Sequence, residues 1–210
     1  MSTTATKTTT KNKGSKIDIH VITFAPMLAV IAFGLMYVEF SIPIMPSFLK
    51  FDFSDMPALL GSFAYGPLCG VFISLIKNLL HLPFSSTSGI GELANFLVAA
   101  MFVVPAGWFY KARKTKKRAF FGAMLGSCLA GILSLPVNFF IVYPFYYNFM
   151  PKETVISLYQ AILPVVSNIF SCLLIFNVPF TIVKFVIATI ITMFIYKPLS
   201  PILKGRATNM

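Results

Sequence analysis

Residues 54–82 read "SDMPALLGSFAYGPLCGVFISLIKNLLHL", and the fold turns on whether this stretch is one helix or two. Read as one, it crosses a bilayer once. Gly66-Pro67 in its middle argues for two, because a proline disfavours helix at the residue before it and removes a backbone donor. The first arm, residues 54–65, would then be about 18 Å long at 1.5 Å per residue. That is too short for a hydrocarbon layer of about 30 Å. Its outer end must therefore rest on protein, and the segment before it, "FSIPIMPSFLKFDF" (residues 40–53), is available. Irregular backbone at that depth survives only when buried in protein or lining a cavity, so a loop folded into the outer face is expected.

The charges decide in favour of the hairpin. Four lysines fall in residues 1–16, six basic residues fall in "KARKTKKR" (111–118), and Lys197, Lys204 and Arg206 follow the last apolar run. Basic segments flanking apolar runs mark the cytoplasmic side. If residues 1–16 and 111–118 share a side, an even number of crossings separates them. Residues 19–40 and 93–110 supply two, and the hairpin supplies two more. Residues 119–143 carry the chain outward again. A cytoplasmic tail then requires an odd number of crossings in residues 154–196. One crossing starting at Pro179 satisfies this and leaves residues 155–176 as a helix or re-entrant segment on the outer side.

The composition agrees with this class. Of 210 residues, 57% are hydrophobic and 11% charged, too little polar surface for a soluble domain. The apolar runs are continuous, not alternating, which disfavours a β-barrel. The expected fold is all-α: a polytopic membrane protein of six transmembrane helices with a short second helix and external loops over a binding pocket. Residues 1–16 read as a disordered basic leader, 17–198 as the membrane domain and 199–210 as a cytoplasmic tail. The net charge of +11 is accounted for by the flanking clusters, without nucleic acid.

Lys184, in "NVPFTIVK", is the only charged residue between Thr154 and Tyr196. An isolated charge at such depth costs about 2.5–3.5 kcal/mol on insertion scales and by default marks a functional site. A structural ion pair with Glu92 or Asp55 is the bland alternative. As an unpaired ammonium, Lys184 should be replaceable by Met with no loss of stability. Asn177 lies seven residues earlier, on the same helical face. Asn95, Asn138, Asn148 and Asn168 offer both donors and acceptors, which suits a neutral polar ligand, although each serves equally well as interhelical glue. "STSGIGELAN" (86–95) adds Gly89, Gly91 and Glu92 at the start of a helix, where glycine allows close backbone approach and Glu92 complements the helix dipole. Ala25 and Ala29, with Ala32 adjoining, make a small-residue face on the first helix, suited to a partner helix or to internal packing.

Several chemistries lack their residues. There is no GxxxxGK[ST] to cradle a phosphate, no His/Cys/carboxylate group at metal spacing, and no Ser-His-acid set. Cys69, Cys128 and Cys172 are isolated and read as packing. No catalytic residue, metal or resident cofactor is expected, and a transport or binding subunit powered by another protein is favoured over an enzyme.

Together "FDFSDMPALLGSFAYGPLCGVFISLIKNLLH", "TSGIGELANFL" and "NVPFTIVK" resemble the substrate-binding S components of energy-coupling-factor vitamin transporters, in their riboflavin-specific branch. The likeness runs over residues 19–196, and the basic Ser/Thr-rich leader is no part of it. It implies a prokaryotic cell-membrane subunit with both termini cytoplasmic. Such a subunit captures riboflavin from outside and topples with its occluded ligand. It also implies a transmembrane coupling subunit docked on the Ala25–Ala29 face and a pair of cytoplasmic ATPases. By the same likeness, Leu49, Lys50 and Asp52 would form the lid, and Asn177 and Lys184 would contact the ligand; Asn138, Asn95, Glu92 and Gly89 join the candidate site on the reading of the residues alone. An autonomous carrier for another vitamin or polar aromatic solute, and a ligand-free membrane scaffold, are the competing classes.

Overall fold

The computed structural model describes residues 19–43, 45, 49–85, 88–148 and 151–203. The proposed leader (1–16) and residues 204–210 of the proposed tail lie outside that set. Helix α1 (Ile19–Met36) leads into a two-stranded antiparallel hairpin, β1 (Phe40–Ser41) and β2 (Lys50–Phe51), in which Phe40 pairs with Phe51 and Ser41 with Lys50. Helices α2 (Asp55–Tyr65) and α3 (Pro67–His81) follow, then α4 (Ile90–Ala112) and α5 (Lys116–Val137).

The break between α2 and α3 falls at Gly66-Pro67. Gly66 has φ +106°, a conformation that L side chains rarely adopt, and Pro67 opens α3 at a position where its missing N–H costs nothing. The two arms then lie unusually close. A Cβ at Gly70 would sit 2.7 Å from Ser62 Cβ and 2.8 Å from the Ala58 carbonyl oxygen, so only glycine permits this approach.

Among the described residues, four helical stretches are long and apolar enough to cross a membrane: Pro67–Phe84, Ile90–Ala112, Lys116–Tyr146 and Ile169–Ser200. Helix α1 is a shorter apolar helix, and the 11-residue α2 is the short member. Together they make the six rods expected from the charge pattern. The remaining helix, α7 (Lys152–Gln160), is short and stands apart from them in sequence.

The last two rods differ from expectation in their bounds. Pro179 does not open the final crossing. That rod starts at Ile169 as α8 (Ile169–Cys172), passes through a π-helical turn (Leu173–Asn177) and continues as α9 (Val178–Leu203). Likewise α5 runs on through a π turn (Asn138–Val142) into α6 (Tyr143–Tyr146). Each π turn ends two residues before a proline, Pro144 or Pro179. A proline ring clashes with the carbonyl four residues back, here residues 140 and 175, both inside the widened turns. The wider turn absorbs the clash, so the helix bends its register instead of stopping. One consequence is that residues 155–176 are not a single outer segment; residues 169–176 belong to the last rod.

Two ends of the bundle can be told apart. At one end Tyr196 Oη lies 3.2 Å from Tyr110 Oη and 3.5 Å from the Phe63 carbonyl, close to Gly66 and the basic segment 111–118, exposed over residues 111–117. The hairpin, the start of α4 and the π turns gather around a cavity remote from that end.

Candidate binding site

A cavity of about 280 Å³ opens among the hairpin, α4, α5 and α9, near the lower bound for small-molecule pockets, about 300 Å³. Leu49, Lys50 and Asp52 line it from the hairpin side, Glu92 and Asn95 from α4, Asn138 from the end of α5, and Asn177 and Lys184 from the last rod. The structure thus brings these eight sequence candidates together. Gly89 lies outside: with φ +89° it caps the N-terminus of α4, and its neighbour Gly91 lines the cavity instead. Asn148 and Asn168 are spent locally, Asn148 on the Phe145 carbonyl and Asn168 on capping α8 through the Ser171 N–H.

The hairpin is held over the cavity by rings and charges. Phe40, Phe51 and Phe53 cluster with centroids 5.2–6.1 Å apart, and Phe51 meets Phe180 of α9 edge-on at 6.3 Å. Lys50 pairs with Glu39. Below, Phe185 lines the cavity and stacks on fully buried Phe102, with centroids 4.3 Å apart.

Lys184 is not a lone ammonium. Its Nζ donates to Asp52 Oδ2 at 2.8 Å and stands 3.3 Å from Asp55 Oδ2, a charge contact rather than a hydrogen bond. Asp55, 1% exposed, also accepts from Lys77 Nζ at 2.5 Å, and Lys77 donates to Ser54 Oγ at 2.6 Å. Ser54 in turn donates to Asp52 Oδ1 through its N–H at 2.8 Å and through its hydroxyl. Two lysines and two aspartates therefore form one neutral cluster joining the hairpin, α2, α3 and α9. Burial pushes the Asp52 carboxyl up, but the ammoniums of Lys184 and Lys77 and the donors of Lys184 and Ser54 outweigh it. They hold Asp52 well below the usual carboxylate range. An ammonium has three donor hydrogens, so Lys184 retains capacity toward the cavity it lines.

The carboxylate of Glu92 is fixed by His81 Nδ1 at 2.8 Å and by Ser85 Oγ at 2.7 Å. Ser85 Oγ also accepts from the Gly89 N–H, so the start of α4 organises the acid without touching the cavity at Gly89. Asn138 donates to the Ser134 carbonyl at 2.7 Å. Asn177 Oδ1 accepts from Tyr159 Oη at 2.8 Å, and Tyr159 Oη lies 2.5 Å from Tyr143 Oη. Burial raises the Tyr159 hydroxyl far above its ordinary value, so it stays a neutral donor.

Two expectations need correction. The Ala25–Ala29 face is not open to a partner: Ala25 is 3% exposed, and Ala29 and Ala32 are fully buried. Helix α1 turns its small residues inward, packing on α2 and α3, and leaves Ile22, Met27, Val30 and Ile31 outside. The spacing that lets a helix approach closely was satisfied within the chain. Second, Lys184 is not unpaired: of its two candidate partners from the sequence, Asp55 stands beside it and Glu92 does not, and Asp52, which is not among those candidates, is the nearer one. Lys77 and Tyr159 have no role in the sequence argument. Lys77 carries the same signal as Lys184, a single charge inside the apolar run "LIKNLL". Tyr159 carries none, being one of 8 tyrosines.

Compared with known proteins, residues 20–196 match the family described as "ECF transporter, substrate-specific component". "Riboflavin transporter RibU" of Staphylococcus aureus (strain TCH60) is 33% identical over 178 residues, covering 85% of this chain and 89% of that protein. "Riboflavin transporter FmnP" of Bacillus subtilis (strain 168) is 32% identical over 190 residues, with coverage of 88% and 94%. A solved structure, described as "Structure and mechanism of the S component of a bacterial ECF transporter", superposes with TM-score 0.68 at 30% identity, covering 88% of this chain and 97% of that one. ThiT from Listeria monocytogenes, at 17% identity and TM-score 0.54, is alike in fold alone.

Proposed function

This chain belongs to the ECF transporter substrate-specific component family, a membrane-embedded transporter component, and from that premise we propose that it binds riboflavin in the Lys184–Asn177 cavity as the capturing subunit of an ATP-driven uptake system. The observation that carries the reading is the donor set of the cavity. Lys184 and the amides of Asn95, Asn138 and Asn177 stand around an aromatic floor at Phe185. That suits a flat ring system with carbonyls and acceptor nitrogens. Glu92 and Lys50 lie on the same lining and suit a polyhydroxylated chain. The names of the two relatives above support the same ligand.

The charge balance favours the free vitamin over its phosphate. Glu39, Asp52 and Glu92 line the cavity against Lys50, Lys184 and His81, and each of these three bases already has a carboxylate partner. A phosphate dianion would meet three carboxylates and basic groups that are already paired.

No phosphate-cradling loop occurs in the sequence, so the energy for uptake comes from elsewhere. In the proposed assembly a transmembrane coupling subunit and two cytoplasmic ATPases supply it. The chain lies in a prokaryotic cell membrane with the basic segment 111–118 and both termini cytoplasmic and the cavity facing outward. Residues 49–52 act as the lid, closing through Phe51 on Phe180 and Asp52 on Lys184. The test is the absorbance spectrum of the purified protein, followed by a flavin fluorescence titration. Quenching that saturates with riboflavin and is much weaker with its phosphate is expected. A colourless protein that leaves riboflavin fluorescence unchanged refutes the proposal.

A further inference from the structure

An asparagine amide can serve a cavity as an acceptor through Oδ1 or as a donor through Nδ2, and half a turn about its last bond exchanges the two. At Asn177 three buried groups decide between them. Tyr159 Oη donates to Asn177 Oδ1 at 2.8 Å, and Tyr143 Oη lies 2.5 Å from Tyr159 Oη. Tyr159 has one hydroxyl proton, and it is spent on Asn177. Tyr143 must therefore be the donor in the bond between the two hydroxyls, and the protons run in one direction, from Tyr143 to Tyr159 to Asn177. Tyr143 is 1% exposed, Tyr159 0% and Asn177 3%, so bulk water does not compete for these bonds. In the opposite orientation Nδ2 would donate to Tyr159 and Tyr159 to Tyr143, which leaves the buried Tyr143 proton neither of these two groups to accept it.

Placement matches this reading. Asn177 closes the π turn Leu173–Asn177 and lines the cavity, whereas Tyr159 sits on α7, outside the six rods. With Oδ1 taken from behind, what Asn177 offers the cavity is its NH2 group.

We propose that Tyr159, oriented by Tyr143, locks the Asn177 amide with its NH2 toward the cavity and so makes this position a dedicated donor that selects ligands carrying a carbonyl or an acceptor ring nitrogen there. Tyr159 is then a positioning residue that acts through Asn177, and α7 is tied to ligand choice without touching the ligand. The inference rests on the riboflavin reading above and deepens it.

The test is a double-mutant cycle read by riboflavin fluorescence titration on wild type, Tyr159→Phe, Asn177→Ala and the double variant. Freeing the amide should weaken riboflavin binding by about five- to thirtyfold in Tyr159→Phe. In the Asn177→Ala background the same change should alter affinity less than about twofold, because a positioning residue has nothing left to position. Losses that multiply across the cycle overturn the inference, since Tyr159 would then act independently of Asn177. Infrared difference spectra of bound riboflavin give a second readout that a merely structural role would not move. A flavin carbonyl band shifted toward its weakly hydrogen-bonded position in Tyr159→Phe supports the lock, and a band identical to wild type overturns it. If Tyr159→Phe does not fold, Tyr143→Phe takes its place in the cycle, with a smaller loss that also disappears beside Asn177→Ala. A wild-type protein that binds no riboflavin sinks the underlying reading and this inference with it. Binding with multiplicative losses sinks this inference alone.

Discussion

Replacing Lys184 by Met tests both the site and the energetics of the charge cluster. The substitution keeps the side chain's length and removes its ammonium. If Lys184 were unpaired, stability would hold or rise, because the buried charge was the cost. The structure reverses that expectation. Loss of Nζ takes a 2.8 Å hydrogen bond from Asp52 and a 3.3 Å charge contact from Asp55, with Asp55 1% exposed and Asp52 12%. Removing one member of a buried pair costs about 3–5 kcal/mol because the other charge stays behind. Here Lys77 still holds Asp55, and Ser54 still donates to Asp52, so the lower end, about 3 kcal/mol, is expected. At about 2–4 °C per kcal/mol for a chain of this size, the empty protein should melt about 6–12 °C lower. Removing the now unpaired carboxylate in Lys184→Met/Asp52→Asn should recover much of that loss. Riboflavin affinity should fall roughly ten- to a hundredfold in Lys184→Met, the value of a charge-assisted hydrogen bond of about 1.5–3 kcal/mol. The double variant should not recover it. The assay is a fluorescence titration beside an unliganded melting curve for each variant. An unchanged melting temperature would refute the ion-pair argument, and an unchanged affinity would remove Lys184 from the ligand.

Three further outcomes follow from the same structure. The folded-state value of Asp52 is depressed below its ordinary 3.8. Its contribution is therefore complete above about pH 5 and is lost as pH falls through the folded value, so wild type should lose stability in acid more steeply than Asp52→Asn; parallel melting profiles between pH 7 and about pH 3 would contradict the pairing. Ala29→Trp should overpack the fully buried contact of α1 with α2 and α3, costing at least about 1–3 kcal/mol and lowering the unliganded melting temperature; a variant that melts normally yet fails to assemble with a coupling subunit would restore the docking role. In a cysteine-free background in intact cells, a single cysteine at Asn148 should be labelled by an impermeant reagent and one at Thr115 should not, and the reverse pattern would invert the proposed orientation.

What the sequence determined on its own were the properties that act locally or add up along the chain. Continuous apolar runs require helices in lipid, the basic clusters set the parity of crossings, and Gly66-Pro67 dictates a break in the chain wherever it lies in the fold. A lysine inside the apolar run of "NVPFTIVK" announces a site for the same reason, since the run alone places a charge at depth, whereas the partners that offset its cost come from the fold. The tertiary structure decided everything that depends on two distant segments meeting. Whether Pro179 ends a helix or is absorbed by a π turn depends on how the preceding turn packs, and either is compatible with the sequence. The small residues at Ala25 and Ala29 permit close approach by any helix, and only the fold shows that α2 and α3 use it. Asp52 and Lys184 are 132 positions apart, as invisible to spacing as the bond from Tyr159 to Asn177. Both exist because the hairpin and α7 fold back onto the last rod, where burial makes each polar group find a partner.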